Sequence, residues 1–315
     1  MKKNETKLQC LKRVSGEVIK NPFLIVSKLA GTPLVNWIPD KWYIKICYRA
    51  HIGKRLNLDN PQTFNEKLQW LKLYNRKPEY SLLVDKYEVK KYVADKVGEE
   101  YVIPTLGVWK TFDEIDFDKL PEQFVLKCTH DSGGLIICRD KSQLDLIKAK
   151  EKITKSLKRN YYLTEREWFY KNVEPRIIAE QYMEDESSRE LEDDKKILNV
   201  YKIFCFSGEP KLFQVIQNDK SEFETIDYFD TAWNKLKLRQ NFPNSETPLP
   251  KPERLDEMVE VASKLSREIA FVRVDLYEIN KKVYFSEMTF FSDAGFAKFE
   301  PEEWDEKLGG WLELK

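Results

Sequence analysis

The chain has 315 residues, 42% of them hydrophobic and 13% aromatic, which is enough apolar material for a core divided over two or three lobes and excludes a disordered chain. Lysine plus arginine and aspartate plus glutamate both total 53, so no net charge is available to recruit nucleic acid or a membrane surface over long range. The two histidines, His51 and His130, exclude a histidine-rich zinc site, and a Ser-His-Asp triad would need one of them.

The cysteines and the apolar segments indicate the cellular compartment in which the protein is expected. The five cysteines include no C-x-x-C pair and no zinc spacing, and their odd number favours reduced thiols; they are Cys10, Cys47, Cys128, Cys138 and Cys205. The longest aliphatic run near the N-terminus is Phe23 to Val26, well below the length of a signal-peptide core, and no segment approaches a transmembrane span. We therefore expect a cytoplasmic protein.

Residues 1 to about 80 are predicted to be helical. Apolar residues recur near the start at helical spacing with basic residues between them: Leu8, Leu11, Val14 and Val18. Packing against the rest of the protein is the favoured use of that stripe, and peripheral membrane contact is the alternative. Further along, Thr63 and Glu66 form the pattern of a capping box, which predicts that a helix begins there.

A second helix is predicted from Asp85 to about Val97, with Lys86 near its beginning and Gly98 as its stop. Helices are also predicted at 142–172 and 255–269. Runs rich in β-branched and aromatic residues predict strands at 101–109, 124–128, 135–138, 176–183, 199–206, 212–216 and 225–229. The acidic segment 184–194 is predicted to be an exposed loop.

A lysine and a glycine loop form the first candidate site. Lys127 ends an apolar strand and is followed by a loop that contains Ser132, Gly133 and Gly134. Glycine lets backbone N–H groups approach an anion, so this combination suggests the phosphates of a nucleotide. An ordinary strand-end lysine followed by a turn is the alternative, since the segment matches neither a P-loop nor a dinucleotide fingerprint.

The segment 271–291 is predicted to be a β-hairpin with a loop at residues 280–282. With that loop, Asp275 lies opposite Glu287, and Arg273 lies opposite Thr289. All four side chains share one face, because side chains repeat every second residue.

Opposed carboxylates repel each other unless a cation lies between them. A divalent metal would explain the pair, and ligands that are all oxygen favour Mg²⁺ or Mn²⁺ over zinc. A solvated face with a structural network of arginine, aspartate and glutamate is the alternative.

Taken together and in order, the motifs resemble the ATP-grasp superfamily, and within it the TupA-like branch, which is named for a teichuronopeptide biosynthesis protein and associated with bacterial cell-surface polysaccharides. The resemblance runs from about Asn60 to Phe296. It is carried by TFNEKLQWLKLY (63–74), DKYEVKKYV (85–93), FVLKCTHDSGG (124–134), IIAEQYM (177–183), YKIFCFSGE (201–209) and the hairpin with R-x-D followed by E-x-T.

The resemblance implies an α+β ATP-grasp fold in which two α+β lobes clamp ATP. The implied regions are a helical N-terminal region at 1–80, an N-lobe with the glycine loop at 81–183 and a C-lobe with the metal-binding hairpin at 184–315. The first region looks unlike the domain that precedes the lobes in many members, so the identity of the substrate is left open.

The resemblance also implies how the nucleotide is held. Lys86 and Lys127 would bind the ATP phosphates, and the loop with Ser132, Gly133 and Gly134 would cover them as a lid. Residues 180–183 would be the hinge between the lobes. Its members are Glu180, Gln181, Tyr182 and Met183, of which Gln181 and Tyr182 would present backbone groups to the adenine. One of Glu184, Asp185 or Glu186 would reach the ribose.

By the same resemblance, Asp275 and Glu287 would coordinate Mg²⁺ or Mn²⁺, and Arg273 would lie close to the γ-phosphate. Lys202 would contact phosphate or substrate. Many ATP-grasp enzymes have asparagine where this chain has Thr289, whose hydroxyl would serve as a neutral oxygen ligand and marks the branch.

The implied activity is a carboxylate–amine ligase: a substrate carboxylate attacks the γ-phosphate of ATP, and an amine captures the acyl phosphate. The polysaccharide setting points to an amide on a uronic acid or related precursor, with a carboxylate acceptor and an amine donor as partners and no nucleic acid. A kinase of a sugar or small metabolite is the first alternative. A glycosyltransferase with Asp116-Phe117-Asp118 as its metal motif is the second, and a glycosidase or a non-catalytic nucleotide-binding protein explains fewer of the motifs.

Overall fold

The structure is a computed structural model that describes residues 7–185, 198–217 and 224–314, with side chains described from Arg13 onward. The α-helices of this part of the chain are α1 Lys7–Lys20, α2 Leu24–Lys28, α3 Pro33–Asn36, α4 Asp40–Ile52, α5 Phe64–Tyr74, α6 Tyr80–Val84, α7 Glu88–Lys96, α8 Leu146–Leu157, α9 Tyr162–Glu165, α10 Leu255–Ser266 and α11 Glu303–Trp311. The strands are β1 Thr105–Trp109, β2 Phe124–Cys128, β3 Leu135–Cys138, β4 Ile177–Gln181, β5 Val200–Phe206, β6 Glu209–Gln217, β7 Thr225–Phe229, β8 Phe271–Ile279 and β9 Lys282–Thr289. Short 3₁₀ turns occur at Glu99–Tyr101, Phe112–Glu114, Phe117–Lys119, Lys141–Gln143, Trp168–Lys171 and Ser292–Gly295.

Two antiparallel sheets organise the molecule. One has four strands in the order β1-β4-β2-β3, and the other has five in the order β7-β6-β5-β8-β9. Helix α8 covers the first sheet and buries Ala149 and Ile153 against Leu126 and Ala179. The predicted α+β fold with two sheet-containing lobes is confirmed.

The larger core lies on the five-stranded sheet. Helices α5 and α10 bury Phe64, Leu68 and Leu265 against strand residues such as Phe204 and Phe271. Helix α7 adds its apolar side to the same cluster. The N-terminal helices form a smaller cluster of their own that reaches the segment after β9 through Ala294 and Phe296. The predicted boundaries near residues 80 and 183 stay predictions.

The predicted start of α5 is confirmed in atomic detail. Thr63 Oγ1 accepts a hydrogen bond from the Glu66 N–H, and the Glu66 carboxylate accepts one from the Thr63 N–H, both at 3.3 Å. This reciprocal capping satisfies two N–H groups that a helix terminus otherwise leaves without partners. It holds α5, which carries several core residues, at a defined starting point.

The helix predicted from Asp85 is wrong in its first turn. Asp85 has an extended backbone (ψ 117°), and its carboxylate accepts hydrogen bonds from the N–H groups of Tyr87 at 2.8 Å and Glu88 at 3.2 Å. A side chain that captures these N–H groups stops the helix from extending backwards. Helix α7 therefore begins at Glu88, and Lys86 lies in the linker between α6 and α7 rather than on a helix.

The continuous helix predicted at 142–172 is also wrong. It is interrupted between α8 and α9, and again at Arg166, which has φ 58° and follows α9. The Arg166 guanidinium is buried, stacks over the ring of Tyr43 at 4.3 Å and donates to the carbonyl of Val35 at 3.1 Å. These contacts with distant parts of the chain outweigh the local helical pattern.

The remaining predicted elements differ mainly at their ends. The first strand begins at Thr105, because a 3₁₀ turn and Pro104 occupy the residues before it. Strand β6 begins at Glu209, so the turn before it is formed by Ser207 and Gly208, both with positive φ. The acidic segment 184–194 lies largely outside the described residues. In the part of the chain that the structure describes, no helix combines the length and apolar character needed to cross a membrane.

Candidate active site

The β8–β9 hairpin brings the two predicted carboxylates opposite each other. Asp275 pairs with Glu287, and Arg273 pairs with Thr289, as the sequence predicts. The predicted three-residue loop is nevertheless wrong. Only residues 280 and 281 form the loop, and both have positive φ, 49° and 60°, which is the backbone of a two-residue hairpin turn.

A β-bulge restores the register between the loop and the carboxylates. Leu276 pairs with Phe285, whereas Asp275 pairs with Glu287, so Ser286 is an extra residue on β9. Such a bulge shifts strand pairing by one residue. The loop is one residue shorter than predicted and the bulge adds one residue to β9, so the two carboxylates remain opposite each other.

Arg273 holds Asp275 in a buried pair. Nε and Nη2 of the arginine donate to the two carboxylate oxygens at 2.7 and 2.8 Å, and the aspartate side chain is 1% exposed. The same guanidinium donates to the hydroxyls of Thr289 at 3.1 Å and Ser292 at 3.4 Å. Burial raises the pKa of Asp275 above its ordinary value, although Arg273 opposes that change. The arginine thereby fixes the position of both oxygens.

Glu287 is the open member of the pair. The cleft walls surround it, yet its side chain is 43% accessible, and within the described residues its one ion pair is with Nη2 of Arg273 at 3.8 Å. Burial would raise its pKa, but nearby cations, Lys86 foremost among them, lower the pKa below its ordinary value. Glu287 is therefore ionised at neutral pH and available to a ligand.

A row of polar side chains crosses the five-stranded sheet at this level. Lys202 on β5 pairs with Asp275, Gln214 on β6 pairs with Lys202, and Tyr228 on β7 pairs with Gln214. The Gln214 amide donates to the Tyr228 hydroxyl at 2.9 Å. Burial lowers the pKa of Lys202. Lys202 therefore lies next to Asp275 on the neighbouring strand, beside the carboxylates of the hairpin.

Lys86 lies against the start of the glycine loop. Its Nζ donates to the carbonyl of Asp131 at 2.6 Å, and its backbone N–H donates to the carbonyl of Thr129 at 3.2 Å. Lys86 and Glu287 line one cavity of about 490 Å³. A predicted phosphate ligand and a predicted metal ligand therefore share one cavity.

The two glycines of the loop have different structural roles. Gly133 has φ 110°, and a Cβ added there would meet no atom within 4 Å. A Cβ on Gly134 would lie 2.3 Å from Oγ of Ser156 and 2.9 Å from Oδ1 of Asp131. Gly134 is therefore required by close packing beneath the loop, whereas the backbone at Gly133 faces open space. Ser132 lines the cavity next to them.

Lys127 shares its partner with a lysine that the sequence analysis missed. Glu180 accepts from Nζ of Lys127 and from Nζ of Lys90, both at 2.5 Å. Burial would raise the pKa of Glu180, but the two lysines lower it overall. Lys90 also donates to the carbonyl of Ile103 at 2.6 Å. Lys90 lies four residues after Lys86, inside the motif DKYEVKKYV (85–93). Its position in that motif is the sequence feature that could have indicated it.

A second cavity, of about 330 Å³, lies beside Lys127 at the predicted hinge. Its lining is largely apolar and includes Ile103, Val125, Leu135, Ile137, Gln181, Tyr182, Met183, Val200 and Tyr277. The N–H of Gln181 donates to the carbonyl of Pro104 at 3.0 Å, so this donor is engaged within the protein. Of the candidate ribose ligands, Glu184 and Asp185 follow the hinge directly, and Glu186 lies outside the described residues.

The larger cavity also contains acidic side chains that the sequence analysis did not single out, namely Glu165, Glu167 and Asp293. Glu165 and Glu167 fall in a segment predicted to be helical, where charged residues read as a solvated face. No local signal shows that the chain turns there and directs them into the cleft.

The oxygen ligands of the hairpin fit a hard divalent cation. Each oxygen of Asp275 accepts one hydrogen bond from Arg273 and retains a second lone pair, and Glu287 is open to the cleft. Within the described residues, no group of three or more histidine, cysteine, aspartate or glutamate side chains could hold a metal alone. Mg²⁺ suits such a site, because it commonly binds one or two carboxylates together with water and substrate phosphates.

The structure combines two antiparallel sheets with a cavity that is lined by Lys86, Arg273 and Glu287. The sequence matches the TupA-like ATPgrasp family over residues 66–313. The chain belongs to this TupA-like ATP-grasp family. None of the curated proteins matches the sequence at a significant level.

Solved structures with a similar fold include D-alanine–D-alanine ligases. The Bacillus anthracis enzyme complexed with ATP is 16% identical with a TM-score of 0.40, and the match covers 66% of this chain and 55% of that chain. The Helicobacter pylori enzyme is 15% identical with a TM-score of 0.41, covering 79% and 69%. A RimK domain ATP-grasp protein from Sphaerobacter thermophilus is 11% identical with a TM-score of 0.41, covering 76% and 70%. The family assignment rests on the sequence match alone.

Proposed function

We propose that the protein is an ATP- and Mg²⁺-dependent carboxylate–amine ligase that forms an amide on a uronic acid or a related precursor of a cell-surface polysaccharide. The observation that carries the proposal is that one cavity is lined by Lys86 and Ser132 at the glycine loop and by Arg273, Glu287 and Thr289 at the hairpin. The polysaccharide setting is supported by the association of the TupA-like branch with such polymers.

The nucleotide would lie across both cavities. The apolar hinge cavity suits an adenine ring, with Tyr182 and Met183 at its edge. Lys127 lines that cavity and would exchange Glu180 for phosphate oxygens. Lys86 and the backbone of Gly133 would hold the terminal phosphates beneath the loop.

The reaction needs charge neutralisation more than acid or base groups. A carboxylate oxygen of the acceptor forms a bond to the γ-phosphorus, the bond to the β–γ bridging oxygen breaks, and ADP leaves with that electron pair. Arg273 and Lys202 would stabilise the charge that spreads over the transferring group. Asp275, Glu287 and Thr289 would hold Mg²⁺ or Mn²⁺, which neutralises phosphate charge when bound. The acyl phosphate then reacts with an amine to give the amide and inorganic phosphate.

The test measures ADP and inorganic phosphate separately. The protein is incubated with Mg-ATP, glucuronic or galacturonic acid labelled with ¹⁸O in the carboxylate, and hydroxylamine as a general amine. A ligase releases both products only when carboxylate and amine are present, and one ¹⁸O atom appears in the phosphate. A kinase releases ADP without phosphate, and ADP release that is independent of the amine would contradict the ligase assignment. Asp275→Asn is the matched inactive control.

We also propose that the N-terminal helices contact an anionic membrane surface that carries the acceptor. Large apolar side chains are exposed there, namely Ile19, Phe23, Ile25, Leu34, Trp37 and Trp42. Lys45 lies over the ring of Trp42 at 5.4 Å. Tryptophan next to lysine is typical of interfacial segments. Co-sedimentation with vesicles containing phosphatidylglycerol should fall when Trp37 and Trp42 are both changed to serine, and equal binding of this variant would contradict the proposal.

A further inference from the structure

The acidic wall of the 490 Å³ cavity is built by the chain break at Arg166. The Arg166 side chain is buried toward Tyr43 and the N-terminal helices, and its neighbours Glu165 and Glu167 line the cavity. Because the backbone at Arg166 is left-handed (φ 58°), its side chain and those of its two neighbours point to different regions. The two carboxylates thus belong to the same space as Arg273 and Glu287.

Glu167 is a buried carboxylate without a partner. It is 7% exposed, and its carboxylate makes no hydrogen bond and no ion pair with any described residue. Burying a carboxylate without hydrogen bonds costs free energy, and such groups call for an explanation. An incoming cationic group would supply the missing partner.

Lys72 does not take that place. Its Nζ donates to the carbonyls of Ala294 at 2.6 Å and Glu165 at 3.1 Å, and it lies 4.5 Å from the ring centre of Phe296. The ammonium group is therefore held by backbone oxygens and a ring, and it reaches Glu167 only through longer-range electrostatics. The carboxylate of Glu167 remains directed to the cavity.

We propose that Glu165 and Glu167 form the site for the amine cosubstrate, which binds as an ammonium ion, and that Glu167 accepts its proton. The inference rests on the proposed ligase function. Once deprotonated, the nitrogen forms a bond to the acyl carbon and the bond from that carbon to the phosphate oxygen breaks. The phosphate leaves with the electron pair, and the second proton of the nitrogen passes to it.

The surroundings of Glu167 suit this role. Burial raises its pKa to about 8; Lys72 and Arg273 act to lower it, and Glu165 acts to raise it. Before the amine binds, the carboxyl group is therefore mostly protonated below about pH 8, and a bound ammonium group would favour its ionised form, which then accepts the proton. Tyr161 and Tyr170 line the same cavity.

The test compares ammonium compounds with hydroxyl compounds of the same shape. The protein with Mg-ADP bound is titrated with glycinamide or glycolamide, ethanolamine or ethylene glycol, and glucosamine or glucose, with binding followed by ligand-observed NMR. At least one ammonium member should bind about tenfold more tightly than its hydroxyl partner, as expected for a charge-assisted hydrogen bond. In Glu167→Gln this preference should fall to about twofold or less.

Two controls keep the outcomes distinct. Glu174→Gln changes an exposed glutamate of the same lobe that pairs with Lys110, and it should retain the preference. The affinity for Mg-ADP should be the same in Glu167→Gln and the wild type. If Glu167→Gln fails to fold, Glu165→Gln carries the test.

Equal binding of both members of every pair, or a preference that survives in both Glu167→Gln and Glu165→Gln, would overturn the inference while Mg-ADP binding stands. Failure of Mg-ADP itself to bind would contradict the proposed function, and the inference with it.

Discussion

Arg273 and Asp275, two residues apart on β8, form a buried pair in which one guanidinium holds both carboxylate oxygens. Because the aspartate is 1% exposed, Arg273→Met would leave a buried charge without its partner. We expect this variant to lose about 3–5 kcal/mol of unfolding free energy in urea titrations. The double variant with Asp275→Asn should recover part of the loss. Additive losses would contradict a coupled pair.

Glu287→Gln should separate metal binding from stability. The side chain is 43% exposed and has one ion pair at 3.8 Å, so the change should cost less than about 1 kcal/mol of stability. In the presence of ADP, the electron paramagnetic resonance signal of bound Mn²⁺ should disappear in Glu287→Gln. The same exchange at the exposed Glu174 is the control. An unchanged signal in Glu287→Gln would refute the assignment of this residue as a metal ligand.

Lys127 and Lys90 share Glu180 but should differ in function. Only Lys127 lines the hinge cavity, whereas Lys90 is anchored to the carbonyl of Ile103. Lys127→Met should weaken Mg-ATP binding by about tenfold, the usual scale of a lost charge-assisted hydrogen bond. Lys90→Met should affect mainly the unfolding free energy. Calorimetric titration and urea unfolding check the pair, and equal effects on ATP affinity would contradict the distinction.

Glu167 should make the protein less stable as the pH rises. Its pKa is about 8 in the folded state against 4.5 ordinarily, so the folded state binds the proton more tightly. This contribution is complete below the ordinary pKa and is lost as the pH rises through about 8. The stability difference between the wild type and Glu167→Gln should therefore change by ~1.4 kcal/mol per pH unit inside that window. A constant difference would show that the carboxylate is already ionised.

The hairpin turn gives a prediction for stability alone. Lys281 has φ 60°, a backbone that costs a side chain about 1 kcal/mol relative to glycine. Lys281→Gly should therefore raise the midpoint of urea unfolding, although it removes an exposed ion pair with Glu253. A lower midpoint would mean that the turn does not have this geometry.

The sequence predicts these elements best where the determinants are local. The capping box at Thr63 and Glu66 lies within one helical turn, and the opposition of Asp275 and Glu287 follows from alternation along a hairpin. The predicted loop length of this hairpin is nevertheless wrong, because no local pattern indicates the bulge at Ser286. Bulges depend on how a strand fits its neighbours.

Prediction from the sequence fails where contacts between distant parts of the chain determine the local structure. Arg166 breaks a predicted helix because Tyr43 and Val35, more than a hundred residues earlier, receive its side chain. The break is also what directs Glu165 and Glu167 into the cleft. A strand-end lysine such as Lys127 can be recognised by itself, but the fact that it shares Glu180 with Lys90 depends on where the fold places α7 relative to β4.

The most direct test of the account is the thermal unfolding of the wild type and Lys127→Ala with Mg-ATP and, separately, with UDP-sugars. A ligand at a hundredfold excess over Kd adds about 2.7 kcal/mol to the stability of the protein that binds it. We expect a higher Tm with Mg-ATP, a stabilisation about half as large in Lys127→Ala, and no change with UDP-sugars. A Tm that rises with a UDP-sugar and not with Mg-ATP would contradict it.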